Sequence, residues 1–438
     1  MSRSSGAIHD ISWMGAGGCA ALVANVVRLA LRYGSLETLL DGYGIHLRAL
    51  AQLAGTAYAD DPCAQFVPKA GPSTEGYSRT LAPVTWAITV IQLKLEAQII
   101  RRHPEYAMED RLLLDATDLA AGTLALYGRA YPLLDTRWPT LGDGDRAVLT
   151  EGEAAAIDSL REQFMHSARL QRHVRFLYSY GNMFQVQDGN LKFHGCLPVD
   201  EQGEFIEFAL DGDKLAEAGA ARALRAAGAR GVLQPRCAGA CGRPGCNVVP
   251  VVRAALAAVR PPAQTGLRER YVLADKATHE EPKGPYYTLR ENEDFCRKLL
   301  AAFGGDVEHG HIINGHTPVR VKKGERPLLA NGKLLVIDGG MSAAYQSVTG
   351  IAGYTLIGNS HELVLAAHEP FTSAETMLAQ GVDATPHTER IETFPQRVLI
   401  AATDTGRALL GQLEDLRTLV EAYRRGALVE RPGGTRVG

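Results

Sequence analysis

Apolar residues recur at helical spacing in several stretches of the chain. From Leu22 to Tyr33 this spacing predicts an amphipathic helix that ends near Gly34. A second helix is predicted from about Pro83 to Arg102. A third begins at Thr150, where Glu153 completes a capping box, and runs to about Leu177. A fourth is predicted to be capped by Asp404, to stop at Gly426 and to pack through one apolar stripe: Leu409, Leu410, Leu413, Leu416, Val420 and Tyr423.

Short apolar runs between turn residues predict strands. Asn182–Val186 and Leu191–Phe193 flank Asp188-Gly189, which indicates a hairpin. Further strands are predicted at 204–208, 333–337, 354–357, 363–367 and 397–401. Long helices with clustered strands indicate mixed α/β layers with antiparallel hairpins.

The composition is that of an ordinary folded protein, with 438 residues, 46% hydrophobic, 22% charged and a net charge of −3. A strongly charged nucleic-acid binder or polybasic membrane protein is not expected, since no basic patch stands out. Arg28 and Arg32 interrupt the apolar stretch near the N-terminus, which therefore predicts neither a signal peptide nor a membrane span. Seven irregularly spaced cysteines suit a reducing compartment, so we expect a cytoplasmic protein.

One segment, from about Gly219 to Thr265, differs in composition from the rest of the chain. It is rich in Ala, Arg, Gly, Pro and Val and almost lacks acidic and aromatic residues. Its cysteines Cys237, Cys241 and Cys246 could seed a zinc knuckle, but a structural zinc site takes four ligands and no fourth is close. We expect the segment to be mostly disordered.

Two histidines follow predicted strands in similar settings. His316 lies in Gly310–Val319, between Gly315 and Pro318, and His194 lies between Phe193 and Gly195. Each could be a solvated turn residue. Together, with oxygen donors elsewhere, two imidazoles at strand ends would suit Mn²⁺, Fe²⁺ or Zn²⁺, which favours a metal-assisted hydrolase.

Long segments of the chain resemble class 3 fructose-1,6-bisphosphatase, a calcineurin-like binuclear metallophosphatase. They are GHIINGHTPVRVKKGERPLLANGKLLVIDGG, AYQSVTGIAGYTLI and AAHEPF within 292–371, together with HDISWMGAGG, DGYGIHLRAL, FHGCLPVDE and the C-terminal DTG…EDLRTLVEAYRRG. The resemblance implies a layered α/β metallophosphatase sandwich with helical insertions and a C-terminal helix. It also implies a gluconeogenic enzyme that uses Mn²⁺ to remove the 1-phosphate of fructose 1,6-bisphosphate.

The resemblance assigns roles to four residues. His194 and His316 correspond to ligands of the second metal ion. His9 and Asp10 correspond to the catalytic pair of a Gly-Asn-His-Asp motif, in which the histidine protonates the leaving alkoxide and Asp orients it. Arg320, Lys322 and Lys323 follow His316 and are further candidates to bind a substrate phosphate, although such a cluster can equally be a solvated loop.

The chain departs from the family pattern at its start. Ile8 stands where a metal-binding Asn is expected, and the earlier metal motifs are missing, so we expect an N-terminally truncated chain without its first strands. If Met1–Ile8 is back-translated with permitted codons and read in another frame, it can give the Gly-Asn that is expected before His9. In the same way, Asn247–Arg260 read one base later can give a sequence that resembles the family. We therefore hypothesise frameshifts in the reading frame.

These observations divide the chain into six parts and leave alternatives open. The parts are 1–55 (remainder of the N-terminal half), 56–150 (helical insertion), 151–218 (core with His194), 219–268 (anomalous segment), 269–371 (core with His316) and 372–438 (C-terminal strand and helix). The expected partner is a small sugar bisphosphate, with neither nucleic acid nor membrane. The alternatives are a catalytically inactive remnant with a binding or regulatory role and a zinc-binding module.

Overall fold

The computed structural model describes most of the chain. The described residues are 12–67, 79–104, 108–126, 128–142, 144–206, 208–210, 213–215, 269–279, 284–338, 349–369, 375, 378–379 and 386–429. Two buried apolar clusters organise them. One, the helical region, is built mainly from residues 16–174 with 271–273, and the other, the sheet region, is built from residues 191–336.

The helical region contains α1 (Ala20–Tyr33), α2 (Arg48–Ala57), α3 (Ala82–Arg102), α4 (Glu151–His166), α5 (Ala168–Tyr180) and the short α6 (Glu269–Val272). Helix α3 is buried on most sides because α1, α2 and several loops surround it. A small antiparallel sheet joins the region: β1 (Thr117–Asp118), β2 (Thr123–Leu126) and β3 (Arg129–Pro132).

Helix α3 carries a buried ion pair. The Lys94 ammonium donates to the Glu153 carboxylate at 2.7 Å and to the Thr140 carbonyl at 2.7 Å, with both charged side chains 1% exposed. Glu153 also completes the capping box, since its carboxylate accepts from the Thr150 N–H at 2.8 Å. One carboxylate therefore stabilises the start of α4 and neutralises a cation in the core.

A five-stranded sheet forms the sheet region, in the order β4 (Phe184–Gln187), β5 (Asn190–Phe193), β8 (Ile312–Asn314), β10 (Leu334–Val336) and β9 (Leu328–Leu329). Strands β5, β8 and β10 are parallel, with Ile312 opposite both Leu191 and Leu334. The hairpin β4–β5 turns at Asp188 and Gly189, both with positive φ. The helices α7 (Tyr286–Leu289) and α8 (Glu293–Phe303) contribute to the same core.

The remaining described strands form two smaller antiparallel sheets. Strands β6 (Phe208–Leu210) and β7 (Asp213–Leu215) pair with each other, and β11 (Gly353–Gly358), β12 (Glu362–His368) and β13 (His387–Thr393) form the other sheet. Helix α9 spans Asp404–Arg424. Short helical turns occupy Ser12–Gly15, Thr38–Gly42, Ala64–Phe66, Glu109–Arg111, Lys276–His279, Val321–Lys323, Ala330–Gly332 and Ile400–Ala402.

The mixed α/β class and most elements agree with the sequence predictions, and the differences have physical reasons. The helix predicted over 150–177 breaks at Ser167, whose extended ψ of 98° separates α4 from α5. No strand forms at 397–401, and the exposed strand β13 was not predicted because it carries only one apolar aliphatic residue, Ile391. The cap of α9 is Thr403 rather than Asp404, since the Thr403 hydroxyl accepts from the Gly406 N–H.

The apolar stripe of α9 also differs from the sequence prediction, because it was expected to pack against the protein and is instead exposed. Leu409, Leu413 and Leu416 are each about half exposed, and Gly406 is the only buried residue of the helix. Periodicity shows that a helix has an apolar face, but it does not show which surface covers that face. No helix among the described residues is both long and apolar enough to cross a membrane.

Candidate metal centre

The two predicted histidines meet at one edge of the five-stranded sheet. His194 follows β5 and His316 lies two residues after β8, and these strands are parallel neighbours. Their carboxyl ends therefore lie at the same edge. The His316 Nδ1 lies 3.1 Å from the His194 Nε2, with the ring planes at 76°. The strand pairing thus brings together two imidazoles that are 122 residues apart in sequence.

The backbone holds the two histidine turns against each other. The Gly315 N–H donates to the His194 carbonyl at 2.8 Å, and His316 adopts a left-handed φ of 68°. Asn314 is 2% exposed, and its amide donates to the Tyr286 hydroxyl at 2.7 Å and the Gly195 carbonyl at 3.2 Å. Burial raises the pKa of Tyr286 well above its usual value, so its hydroxyl stays protonated. The hydrogen bonds of the buried Asn314 side chain therefore help to hold the two histidine turns in place.

The two imidazole nitrogens fit two positions of a metal ligand set. Ligand nitrogens at about 2.0–2.1 Å from one ion lie roughly 3 Å apart, which is close to the separation here. Without an ion, the same contact is a hydrogen bond in which one ring supplies the proton. No group of three or more His, Cys, Asp or Glu side chains placed to hold a metal occurs within the described ranges. The described site thus supplies part of a ligand set.

Asp338 lies close to this edge of the sheet. A methyl group added to Gly315 would lie 3.4 Å from the Asp338 Cβ and 3.6 Å from one of its carboxylate oxygens. The Asp338 carbonyl accepts from the Val319 N–H at 2.8 Å, which ties the segment after β10 to the turn after His316. Asp338 is 9% exposed, so it adds a nearly buried carboxylate beside the histidine turn.

The predicted phosphate-binding residues lie on the loop after His316. The Arg320 guanidinium is engaged by Glu325, which accepts from its Nε at 2.7 Å and from Nη2, and this pairing raises the pKa of Arg320. Lys322 and Lys323 form an exposed helical turn. Anion binding by Arg320 would compete with Glu325, whereas Lys322 and Lys323 are exposed residues.

Several residues near the histidines were not predicted from the sequence. The Thr317 hydroxyl donates to the Tyr287 hydroxyl at 3.3 Å, and the Arg290 guanidinium carbon lies 5.1 Å from the centroid of the Tyr287 ring. Burial raises the pKa of Tyr287, while the hydrogen bond from Thr317 opposes this shift. The Pro-Tyr-Tyr-Thr-Leu-Arg run has no pattern that points to a site, because its role depends on which turn it packs against.

Other predicted features lie outside the described residues. They are the catalytic pair His9 and Asp10 and all of residues 219–268, which include the three cysteines Cys237, Cys241 and Cys246. These assignments, the predicted disorder and the frameshift hypothesis therefore stay predictions. Resequencing the gene would test the last of them, and an uninterrupted frame at both places would contradict it.

Comparison with known proteins identifies the family. The family model for Firmicute fructose-1,6-bisphosphatase matches residues 6–222 and 263–425. The unmatched stretch between these ranges lies inside the segment of unusual composition. No solved structure matches the chain.

Known relatives extend the match over almost the whole chain. The chain is 42% identical to the class 3 fructose-1,6-bisphosphatases of Listeria monocytogenes serotype 4b (strain CLIP80459) over 430 residues and of Clostridium novyi (strain NT) over 438 residues. It is 41% identical to that of Bacteroides fragilis (strain YCH46) over 445 residues. These matches cover 96–97% of this chain but only 64–65% of each relative. The chain therefore belongs to the Firmicute fructose-1,6-bisphosphatase family.

Proposed function

We propose that the chain hydrolyses the 1-phosphate of fructose 1,6-bisphosphate, giving fructose 6-phosphate and inorganic phosphate. The relatives carry the name of this activity, but the chain spans about two thirds of their length, so the activity is inferred for it. The structural observation that carries the proposal is the 3.1 Å approach of His194 and His316 at the sheet edge. Convergent imidazole nitrogens are one kind of ligand by which a phosphatase can hold a catalytic metal ion.

We further propose Mn²⁺ as the ion and the calcineurin-like metallophosphatase sandwich as the complete fold. A bound divalent ion would act as a Lewis acid that neutralises phosphate charge and lowers the pKa of water. His194 and His316 would each contribute one imidazole nitrogen to it. The Asn314 network behind them would keep both rings oriented, because its hydrogen bonds tie the two turns together.

The remaining roles belong to the predicted residues around the substrate. Water attacks phosphorus, the bond from phosphorus to the sugar oxygen breaks, and His9 donates a proton to the leaving alkoxide while Asp10 orients the imidazole. Lys322 and Lys323 would attract the substrate phosphates from the exposed turn after His316. Arg320 would join them if phosphate displaced Glu325 from its guanidinium.

Phosphate release from fructose 1,6-bisphosphate tests the proposal. The purified chain would be assayed with and without Mn²⁺, beside His194→Ala and His316→Ala. The matched control is His309→Ala, an exposed histidine outside the pair. We expect metal-dependent release that both pair variants abolish and the control retains. A folded wild-type chain that releases no phosphate with Mn²⁺ would contradict the proposed activity and favour an inactive member of the family.

A further inference from the structure

We propose that the exposed apolar face of α9 pairs in parallel with the same face of a second copy of the chain, as a short two-stranded coiled coil. Seven large apolar residues form this face, and each is 43–57% exposed: Leu409, Leu410, Leu413, Leu416, Leu419, Val420 and Tyr423. They follow one another over about four turns of helix, so they form a continuous surface. The inference concerns assembly and does not depend on the proposed function.

Helix α9 has little packing of its own within the described part of the chain. It spans 21 residues, of which Gly406 alone is buried. The main described element against it is the turn Ile400–Ala402. Its start is also tied to the β4–β5 hairpin, because Asp404 and Asp188 each accept from the backbone N–H of the other, at 2.6 and 2.7 Å. Most helical stability in proteins comes from packing of an apolar face, and these contacts leave that face uncovered.

The spacing of the face fits a single partner helix. Alternating steps of four and three residues connect Leu409, Leu413, Leu416, Val420 and Tyr423, which is the heptad pattern of a coiled coil. In this frame Leu413 and Val420 occupy a positions, and the other three residues occupy d positions. A β-branched residue at a with leucine at d favours two strands, and Val420 with Leu416 supplies that combination.

The charges of α9 disfavour a strongly charged partner. Its arginines pair with acidic residues of the same helix or its end: Arg407 with Asp404, Arg417 with Glu414 and Arg425 with Glu421. Acidic and basic residues therefore alternate along the polar side. An amphipathic helix that lies on an anionic lipid surface is typically rich in Lys and Arg on that side, which α9 is not.

The residues that flank the seam make two parallel copies complementary. One side carries Gln412 and Leu419 at g positions, and the other carries Arg417 and Arg424 at e positions. In a parallel pair, the g positions of one helix face the e positions of the other. Arg417 would then lie opposite Gln412, and Arg424 opposite Leu419. Antiparallel pairing would instead bring the two arginine-bearing sides together, so the parallel arrangement is the one without like-charge contacts.

The face is also large enough for a specific dimer. Because about half of each of the seven residues is exposed, pairing two faces removes on the order of 1,000 Å² from water, which is the lower limit for a specific interface. Leu399 and Ile400, which are 58% and 75% exposed, extend the apolar surface beyond the start of the helix. An interface of this size predicts a dimer that dissociates on dilution.

Sedimentation of the full chain over a range of concentrations tests the proposal. Wild type should change from a 47.1 kDa monomer to a dimer as its concentration rises. Three variants each add one Glu to α9: Leu416→Glu in the seam, Gln412→Glu beside it and Thr418→Glu on the opposite face. We expect Leu416→Glu to weaken dimerisation at least about a hundredfold, because a carboxylate would be buried without a partner.

The other two variants separate pairing in the seam from a general effect of charge. Gln412→Glu should tighten the dimer about two- to fivefold, because the new carboxylate would lie opposite Arg417 of the partner subunit. Thr418→Glu is the matched control and should dimerise as wild type does. Weaker dimerisation of Gln412→Glu than of Thr418→Glu would overturn the parallel arrangement.

Hydrogen exchange read by mass spectrometry locates the interface. Exchange over Asp404–Arg424 should slow as the wild-type concentration rises, but not in Leu416→Glu. If Leu416→Glu does not fold, Leu416→Ala decides by the same two measurements, with a smaller loss expected. A wild-type chain that stays monomeric at about 100 µM would overturn the inference. So would a dimer that Leu416→Glu leaves intact, or a monomeric chain that binds phosphatidylserine vesicles through α9.

Discussion

The helical region and the sheet region use polar groups in opposite ways. In the helical region, the Lys94 ammonium has two acceptors and one of them is a carboxylate that also caps α4. In the sheet region, the strands are apolar inside, and the polar groups gather where β5 and β8 end. Buried polar groups that hydrogen-bond to each other help to specify packing, whereas polar side chains gathered at the end of a sheet remain available to bind a ligand. The polar groups of the helical region therefore stabilise the fold, and those at the sheet edge are the ones that could take part in chemistry.

Lys94→Met should have the largest effect on stability. It leaves the Glu153 carboxylate buried without its cation, and breaking such a pair typically costs about 3–5 kcal/mol. Urea unfolding followed by circular dichroism would measure the loss. The double variant Lys94→Met with Glu153→Gln should recover most of it, because the amide oxygen can still accept from Thr150. A single variant as stable as wild type would show that the ion pair does not hold the helical region together.

Ile312→Ala tests the sheet region. Ile312 is fully buried in β8 between β5 and β10, so truncation should cost about 2–5 kcal/mol, while Ile312→Val should cost about 0.5–1.5 kcal/mol. Because β8 carries the His316 turn, Ile312→Ala should also weaken metal binding, which Lys94→Met should not. Equal effects of Ile312→Ala and Lys94→Met on metal binding would contradict the claim that only the sheet region positions the metal ligands.

The helix caps allow a finer comparison between the regions. Thr150→Ala removes the cap of α4, and Asn292→Ala removes the cap of α8, where the side chain accepts from the Phe295 N–H at 3.1 Å. Each should cost about 1 kcal/mol by urea unfolding. We expect Thr150→Ala to cost more, because its capping box is reciprocal. The opposite order would show that the reciprocal bond adds nothing.

Asp404 should contribute the smallest and most pH-dependent effect. Its carboxylate accepts from the Asp188 N–H at 2.6 Å, and this hydrogen bond, followed by Arg407, holds the pKa of Asp404 below its usual value. A lowered pKa means that the stabilisation is present above the unfolded-state pKa and is lost as pH falls through the folded-state value. Asp404→Asn should cost about 0.3–1 kcal/mol at neutral pH. In acid-unfolding curves the two proteins should converge, and a constant difference would contradict this account.

Local signals in the sequence predicted much of the fold. The capping box at Thr150 and the periodicity of α1 and α3 identify helices within a few residues, because those signals involve near neighbours. The exposure of the α9 stripe and the polar strand β13 were not predictable from such signals, since both depend on what packs nearby.

Part of the candidate metal centre could also be predicted from the sequence. The settings of His194 and His316 and the family resemblance indicated a shared centre, and the pairing of β5 with β8 brings the two rings together. The resemblance itself is confirmed by the family match. The stacking of Arg290 on Tyr287 could not have been predicted from the sequence, because it depends on how the residues around α7 pack.

Binding of Mn²⁺ tests most directly the claim that His194 and His316 form a metal centre. Electron paramagnetic resonance of free Mn²⁺ would be recorded during titration with wild type, His194→Ala, His316→Ala and the control His309→Ala. The account predicts that wild type and the control deplete free Mn²⁺ alike, while each pair variant binds at least about tenfold more weakly. Unchanged Mn²⁺ affinity in both pair variants would contradict it.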